Sequence, residues 1–158
     1  NIRPEPWIIQ MGTFSKALCS FGAFIAADRD VVDWMTNTAR SFIFSTALPA
    51  CMAAASLKAL ELVESSPDLI ERLWRNRANL VNELRGRGYD TGTSDTPIIP
   101  LRLGGLEDTL NMSQHLYNQG IYAPVIRPPA VKEPLIRITV TAAHSEEDID
   151  ALVQALLC

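Results

Sequence analysis

The chain has 158 residues, of which 47% are hydrophobic and 20% charged, and its formal net charge is −4. This length suits one domain or two small lobes, with roughly 70% of the unfolded surface buried on folding. The acidic balance argues against a nucleic-acid-binding protein, which needs a clustered basic patch. The nearest thing to such a patch, Arg72, Arg75 and Arg77, is interleaved with Glu71 and apolar residues and is typical of a solvated helix face.

The three cysteines, Cys19, Cys51 and Cys158, are far apart and show no CxxC spacing. This argues against a disulfide framework or a zinc site, and we expect a cytoplasmic protein without a metal. No stretch has the ~20 apolar residues of a membrane-spanning helix. The N-terminal residues lack the basic and apolar regions of a signal peptide. Because the sequence opens without Met, directly into strand-like residues, we expect it to begin inside a longer protein.

The first half of the chain predicts two buried strands followed by three helices. Apolar runs mark the strands at residues 7–9 and 21–27, with a loop of small residues between them. Helical spacing or composition marks helices at 30–42 and 51–64, the latter with Pro49 in its first turn. A third helix opens at Ser66-Pro67 and stops at Gly86 and Gly88.

From about residue 90 the predicted order is β-α-β-β-α, which is typical of a small α+β lobe with a partly antiparallel sheet. The strands are expected at residues 97–103, 121–126 and 135–140. A helix over 107–119 ends at Gly120, and Ser145 opens the last helix.

Lys16 is the only charged residue between Pro6 and Asp28. Lysine is almost never buried without a partner, and desolvation favours its neutral, nucleophilic form. The surroundings therefore suit a lysine that forms a Schiff base. The alternative is a lysine that extends into solvent from a surface loop.

The segment GTFSKALCSFGAFIAA, residues 12–27, resembles the cofactor-lysine segment of the pyridoxal-phosphate-dependent α-oxoamine synthases. These fold-type I enzymes join an amino acid to an acyl-CoA and release carbon dioxide. The resemblance implies that Lys16 is catalytic and binds the cofactor covalently, and that the Thr13 hydroxyl binds its phosphate. One residue departs from the pattern, because Cys19 stands where many relatives have glycine.

Three further stretches carry the same resemblance, namely RSFIFSTALPA (40–50), IRPPAV (126–131) and IRITVTAAH (136–144). The first implies that Ser45 and Thr46 approach the phosphate of a partner subunit's cofactor, and hence a homodimer with a shared active site. A turn with local hydroxyl hydrogen bonds is the alternative there. The second stretch implies that Arg127 lies in a mobile loop near the substrate, although it also fits a surface turn.

Strand alternation bears on Arg137 independently. Ile136, Ile138 and Val140 share one face, which predicts a buried side, whereas Arg137 lies among hydroxyls on the other. A guanidinium can grip both oxygens of a carboxylate, although a solvated arginine fits the pattern as well. The resemblance implies that Arg137 binds the amino-acid carboxylate. A second arginine that relatives often carry two positions earlier is replaced by Leu135.

The two histidines are expected to be structural. His144 precedes the N-cap Ser145 and is expected at the entry of the last helix, and His115 lies on an amphipathic helix. No pair of histidines or carboxylates has the spacing of metal ligands.

As a whole, the resemblance implies an α/β fold that is the C-terminal part of a fold-type I transferase. Residues 1–48 would end the large cofactor-binding domain, and residues 49–158 would form a connecting helix and the small α+β domain. The aspartate that pairs with the pyridine nitrogen and the histidine that stacks on the ring are not in this chain. We therefore expect the 158 residues alone to be inactive.

Within the family, RPPAV followed by TAAH is most similar to the members that condense L-alanine with a pimeloyl thioester in biotin biosynthesis. Members that acetylate glycine are close. A fold-type I aminotransferase and a non-catalytic α/β module, with Lys16 merely on its surface, remain alternatives. The expected partners are an amino acid and an acyl-CoA, and no nucleic acid or membrane.

Overall fold

The computed structural model describes residues 3–157, and the chain forms two compact units divided between Ser66 and Pro67. The expected division at residues 48 and 49 concerns the domains of a longer enzyme, and it stays a prediction. Within residues 3–157, no helix has the length and apolar character needed to cross a membrane.

The first unit begins with an antiparallel hairpin of β1 (Gln10–Thr13) and β2 (Ala23–Ala26). A loop over residues 14–22 joins the strands, and the Phe14 N–H donates to the Gly22 carbonyl at its base (2.9 Å). The prediction of a strand at residues 7–9 is wrong, because this apolar run precedes β1 and Trp7 lies exposed in a turn. The strand predicted at residues 21–27 is confirmed as β2, but both strands are largely exposed rather than buried.

Three helices complete the first unit, α1 (Arg29–Thr38), α2 (Arg40–Ile43) and α3 (Ala50–Ser65). The single helix predicted over 30–42 is broken at Ala39, whose extended backbone (ψ 99°) separates α1 from α2. The prediction of a helix following Pro49 is confirmed, with Pro49 as the N-cap residue of α3.

The second unit is an α+β lobe built on a three-stranded antiparallel sheet. Its strands are β3 (Ile98–Leu101), β4 (Val125–Ile126) and β5 (Leu135–Thr139), in the spatial order β3-β5-β4. Its helices are α4 (Pro67–Gly86), α5 (Leu106–Asn118) and α6 (Glu146–Ala155). The predicted order β-α-β-β-α is confirmed. Of the strand expected over residues 121–126, only the last two residues form β4.

One hydrophobic core fills the second unit. The helices contribute Leu80, Leu84, Leu116, Leu152 and Val153, and the sheet contributes Ile99, Leu101, Ile136 and Ile138. Periodicity produces this core, because the apolar residues of each helix recur on one face and those of each strand alternate. The opposite face of the sheet is left free to carry polar side chains.

Side-chain caps fix the N-terminal ends of two helices, α1 and α6. The Asp28 carboxylate accepts from the Asp30 N–H at the start of α1. At α6, the Ser145 hydroxyl accepts from the Asp148 N–H (3.2 Å) and the Asp148 carboxylate accepts from the Ser145 N–H (2.8 Å). This capping box confirms that Ser145 opens the last helix.

Candidate active site

Lys16 lies in the loop between β1 and β2, where backbone hydrogen bonds shape a tight turn. The Cys19 N–H donates to the Lys16 carbonyl (3.0 Å), and the Ser20 N–H donates to the Phe14 carbonyl (2.9 Å). The Lys16 side chain is exposed and forms no hydrogen bond or ion pair with any residue in the range 3–157. Within this chain Lys16 therefore extends into solvent, as in the alternative interpretation, and its Nζ is unengaged among the described residues.

Thr13 ends β1, three residues before Lys16, and its backbone pairs with Ala23. Its side chain is exposed and has no hydrogen-bond partner among the described residues. One short loop thus presents an unengaged hydroxyl and an unengaged amine. A hydroxyl can donate to a phosphate oxygen and an amine can condense with an aldehyde, so these residues fit pyridoxal phosphate.

The loop is fastened to the segment that begins α3. Gly22 has a φ of +108°, and a Cβ there would lie 2.5 Å from Cδ1 of Leu48. The Ser20 hydroxyl donates to the Met52 carbonyl (2.9 Å). The positive φ of Gly22 therefore favours glycine, and the loop that carries Lys16 is held at its second half.

Cys19 has a φ of +47°, in the left-handed region that favours glycine. This conformation explains why glycine suits the position. It is the position at which the sequence differs from many of the enzymes that it resembles. The departure leaves the turn closed, because the Cys19 N–H still donates to Lys16. Cys19 and Cys51 are both free and exposed, and Cys158 lies outside the described residues.

Ser45 and Thr46 follow α2 and are exposed. The Ser45 hydroxyl donates to the Ser41 carbonyl (2.5 Å), which is the local hydrogen bond of the alternative interpretation. Thr46 has no side-chain partner within residues 3–157. For Ser45 to donate to a phosphate, its hydroxyl must rotate away from Ser41.

In the second unit, Arg137 occupies the middle of β5, opposite Pro100 of β3. The predicted alternation is confirmed, because Ile136, Ile138 and Val140 are buried and Arg137 is exposed. Its guanidinium has no partner among the described residues. The arrangement leaves a complete donor fork on the open face of the sheet, which can bind a carboxylate.

Arg127 directly follows β4 and begins the loop that returns to β5. Its carbonyl accepts from the Ala130 N–H (3.1 Å), and its exposed side chain has no partner within the described part of the chain. The surface turn of the alternative interpretation is therefore present. The guanidinium is also free to bind a ligand.

Sequence reasoning missed an open cleft of about 490 Å³ in the second unit, which is lined by both charged and aliphatic residues. Its lining residues are Asp90, Arg102, Val131, Lys132, Glu133 and Leu135. Nη1 of Arg102 lies 3.4 and 3.3 Å from the two carboxylate oxygens of Asp90. Hydrogen bonding from the Gly92 N–H, and then the Arg102 guanidinium, hold the pKa of Asp90 below its ordinary value. The alternation of side-chain direction along residues 98–102 was the sequence signal that could have predicted Arg102 on the same face of the sheet as Arg137.

Both histidines form structural contacts. Nδ1 of His144 accepts from the Thr141 N–H (3.2 Å), which closes the turn between β5 and α6. Nε2 of His115 lies 3.1 Å from the Ala155 carbonyl oxygen. These contacts agree with the structural roles expected from the sequence.

Comparison with known proteins identifies relatives along nearly the whole chain. The family described as Aminotransferase class I and II matches residues 1–156. An 8-amino-7-oxononanoate synthase of Geobacter metallireducens is 49% identical over 89% of this chain and 37% of its own length. A serine palmitoyltransferase of Bacteroides thetaiotaomicron is 34% identical over 93% of this chain and 38% of its own length.

Solved structures share the fold. A serine palmitoyltransferase structure that contains pyridoxal phosphate has a TM-score of 0.87 at 27% identity, over 93% of this chain and 38% of that one. The 8-amino-7-oxononanoate synthase of Francisella tularensis has a TM-score of 0.83 at 21% identity, over 95% of this chain and 44% of that one.

The chain thus spans about 40% of the length of the curated relatives it matches. The family and the structures with bound cofactor indicate pyridoxal phosphate as the cofactor. The α/β fold is that of the fold-type I enzymes, as expected from the sequence. The chain belongs to the aminotransferase class I and II family, and its relatives there are α-oxoamine synthases.

Proposed function

We propose that the protein containing this chain is a pyridoxal-phosphate-dependent α-oxoamine synthase that condenses L-alanine with pimeloyl-CoA, releasing CoA and carbon dioxide to give 8-amino-7-oxononanoate. The observation that carries the proposal is the loop in which the Thr13 hydroxyl and the Lys16 amine are both unengaged. The 49% identity to an 8-amino-7-oxononanoate synthase supports the choice of substrates.

In this proposal Lys16 binds the cofactor through Nζ, and the Thr13 hydroxyl donates to its phosphate. Bound pyridoxal phosphate supplies an electron-withdrawing ring that stabilises negative charge at the substrate α-carbon. When it does not hold the cofactor, the Lys16 amine would act as the general base that removes the α-proton. The Arg137 fork binds the substrate carboxylate until decarboxylation, and Arg127 contributes from the neighbouring loop.

The proposed shared active site makes the protein a homodimer in which Ser45 and Thr46 donate to the phosphate of the partner subunit's cofactor. This role requires the Ser45 hydroxyl to leave the Ser41 carbonyl. Location in the cytoplasm remains a prediction from the sequence.

The second candidate is another α-oxoamine synthase, and the 34% identity to a serine palmitoyltransferase favours it. A glycine C-acetyltransferase belongs to the same class. Release of CoA from a panel of acyl-CoA donors, each paired with alanine, serine or glycine, distinguishes these activities. An aminotransferase releases no CoA.

The first experiment locates the cofactor linkage. The full-length protein is supplied with pyridoxal phosphate and reduced with borohydride, and the modified peptide is mapped by mass spectrometry. We expect a phosphopyridoxyl group on Lys16, its absence in K16A, and its retention in K58A, which removes another exposed lysine of the first unit. An unmodified Lys16 in folded, cofactor-supplied protein would leave a non-catalytic α/β module.

A further inference from the structure

The open face of the sheet in the second unit carries a second arginine beside Arg137. Pro100 lies opposite Arg137 and Leu101 opposite Ile136, so Arg102 comes next, at the level of Leu135. Residues two apart on a strand share a face, which places Arg102 and Arg137 on the same side of the sheet. Such diagonal neighbours are roughly 7–8 Å apart.

Asp90 orients Arg102 without using all of its donors. One nitrogen, Nη1, is directed at the two Asp90 oxygens, and the backbone of Arg102 pairs with Asp90 in an isolated bridge. Nε and Nη2 of Arg102 have no acceptor within residues 3–157. A guanidinium that lies 3.3–3.4 Å from Asp90 and keeps two nitrogens free is suited to bind an external carboxylate.

The remaining walls of the cleft combine one more cation with apolar surface. Lys132 is exposed and has no partner in the described part of the chain. Val131 and Leu135 supply aliphatic surface beside it. Asp90 and Glu133 balance the formal charges of Arg102 and Lys132, so unengaged donors rather than net charge define the chemistry of the cleft. An alkyl chain ending in a carboxylate matches this combination.

We propose that this cleft binds the carboxylate end of the acyl donor, with Arg102 as the main donor, Lys132 as the second, and Leu135 and Val131 against the alkyl chain. The inference rests on the proposed function, because it assumes that an acyl-CoA is a substrate. It adds the residues that select an acyl chain with a terminal carboxylate over one without.

The test compares pimeloyl-CoA with heptanoyl-CoA, which has an equal number of acyl carbons and no terminal carboxylate. In the full-length holoenzyme, R102Q is expected to lower the ratio of kcat/KM for pimeloyl-CoA to kcat/KM for heptanoyl-CoA. The expected decrease is about 10- to 100-fold, as for a lost charged hydrogen bond. R102K should restore part of the ratio. K132Q should lower it about threefold, and K58Q serves as the control for loss of a distant lysine.

Binding provides a readout that is independent of turnover. Titration calorimetry of both acyl-CoAs should give a preference for pimeloyl-CoA that R102Q removes. K132Q tests the inference even if R102Q fails to fold, because Lys132 has no structural partner in residues 3–157. Equal preference in wild type and in both variants would overturn the inference.

The CoA phosphates are another source of negative charge. R102Q could weaken the binding of both CoA thioesters equally and leave the binding of the matching pantetheine thioesters unaffected. In that case the cleft binds a CoA phosphate and the inference is wrong. If the wild type neither binds nor converts any acyl-CoA, the proposed function itself fails. A protein that binds both acyl-CoAs equally, independently of Arg102, contradicts only the inference.

Discussion

Asn76, in the middle of α4, donates from Nδ2 to the carbonyl oxygen of His144, 2.8 Å away and 68 residues further along the chain. The same nitrogen lies 3.2 Å from the Thr141 carbonyl oxygen. Asn76 is almost fully buried, at 4% exposure. This one amide therefore ties the end of β5, and the turn that leads into α6, to the longest helix of the second unit.

Replacing Asn76 by leucine should destabilise the protein, because two carbonyl groups lose their donor in a buried position. We expect a loss of about 1–3 kcal/mol in the free energy of unfolding. The measurement is urea unfolding of the full-length protein. The matched control is N111L, on the exposed side of α5, for which we expect a change within about 0.5 kcal/mol. Equal effects of the two substitutions would contradict the role of Asn76.

Replacing Cys19 by glycine should stabilise the lysine loop. A side chain in the left-handed region costs about 1–2 kcal/mol, and the added freedom of glycine in the unfolded chain offsets part of the gain. We expect a net gain of up to about 1 kcal/mol in holoenzyme unfolding. C19A separates the effects, since it removes the thiol and keeps the Cβ. A C19G protein less stable than C19A would show that the strain is absent.

The capping box of α6 should make stability depend on pH. The Ser145 N–H and hydroxyl hold the pKa of Asp148 below its ordinary value. A carboxyl group whose pKa is lowered in the folded state stabilises that state. Its full contribution is present above the unfolded-state pKa of about 3.9. That contribution declines as the pH falls through the folded-state pKa.

We therefore expect D148N to be less stable than wild type at neutral pH, with a difference that shrinks as the pH falls below about 4. Unfolding temperatures measured between neutral and acidic pH test this. D150N, which removes an equal charge from the same helix, provides the control. A constant difference between wild type and D148N across the pH range would exclude the titration of Asp148 as the cause.

Truncating Arg137 should weaken binding of the amino acid more than binding of the cofactor. Loss of a charged partner for the carboxylate predicts a KM for the amino acid about 100-fold higher in R137A. The KM of R137K should lie between those of wild type and R137A, because an ammonium group lacks the planar fork of a guanidinium. Cofactor content should be retained. The control is R75A, an exposed arginine of α4, and an unchanged KM in R137A would remove Arg137 from the substrate site.

The 158 residues by themselves should show no turnover. The chain spans about 40% of the length of its curated relatives. The resemblance implies that the aspartate that pairs with the pyridine nitrogen is not among these 158 residues. CoA release by the purified chain, measured beside the full-length protein under identical conditions, tests this expectation. Turnover by the chain alone at the rate of the full-length protein would contradict it.

The second unit was predictable because its signals are local. Gly88, Gly120 and Ser145 mark helix ends by their own conformation or hydrogen bonding, and they act within a few residues. Alternation in β5 likewise placed Arg137 opposite the buried isoleucines. The first unit was less predictable, because both faces of its hairpin are exposed; hydrophobicity located β2 but misplaced β1 and could not specify the register.

By itself, the sequence determined the helices of the second unit, the buried face of β5, and the segment that carries Thr13 and Lys16. Local periodicity, capping and motif spacing suffice for these features. Only the tertiary structure decided that Cys19 is left-handed, that Asn76 reaches His144, and that Arg102 lies beside Leu135. These relationships depend on turn closure and on hydrogen bonds between distant residues, and no pattern within a few residues encodes them.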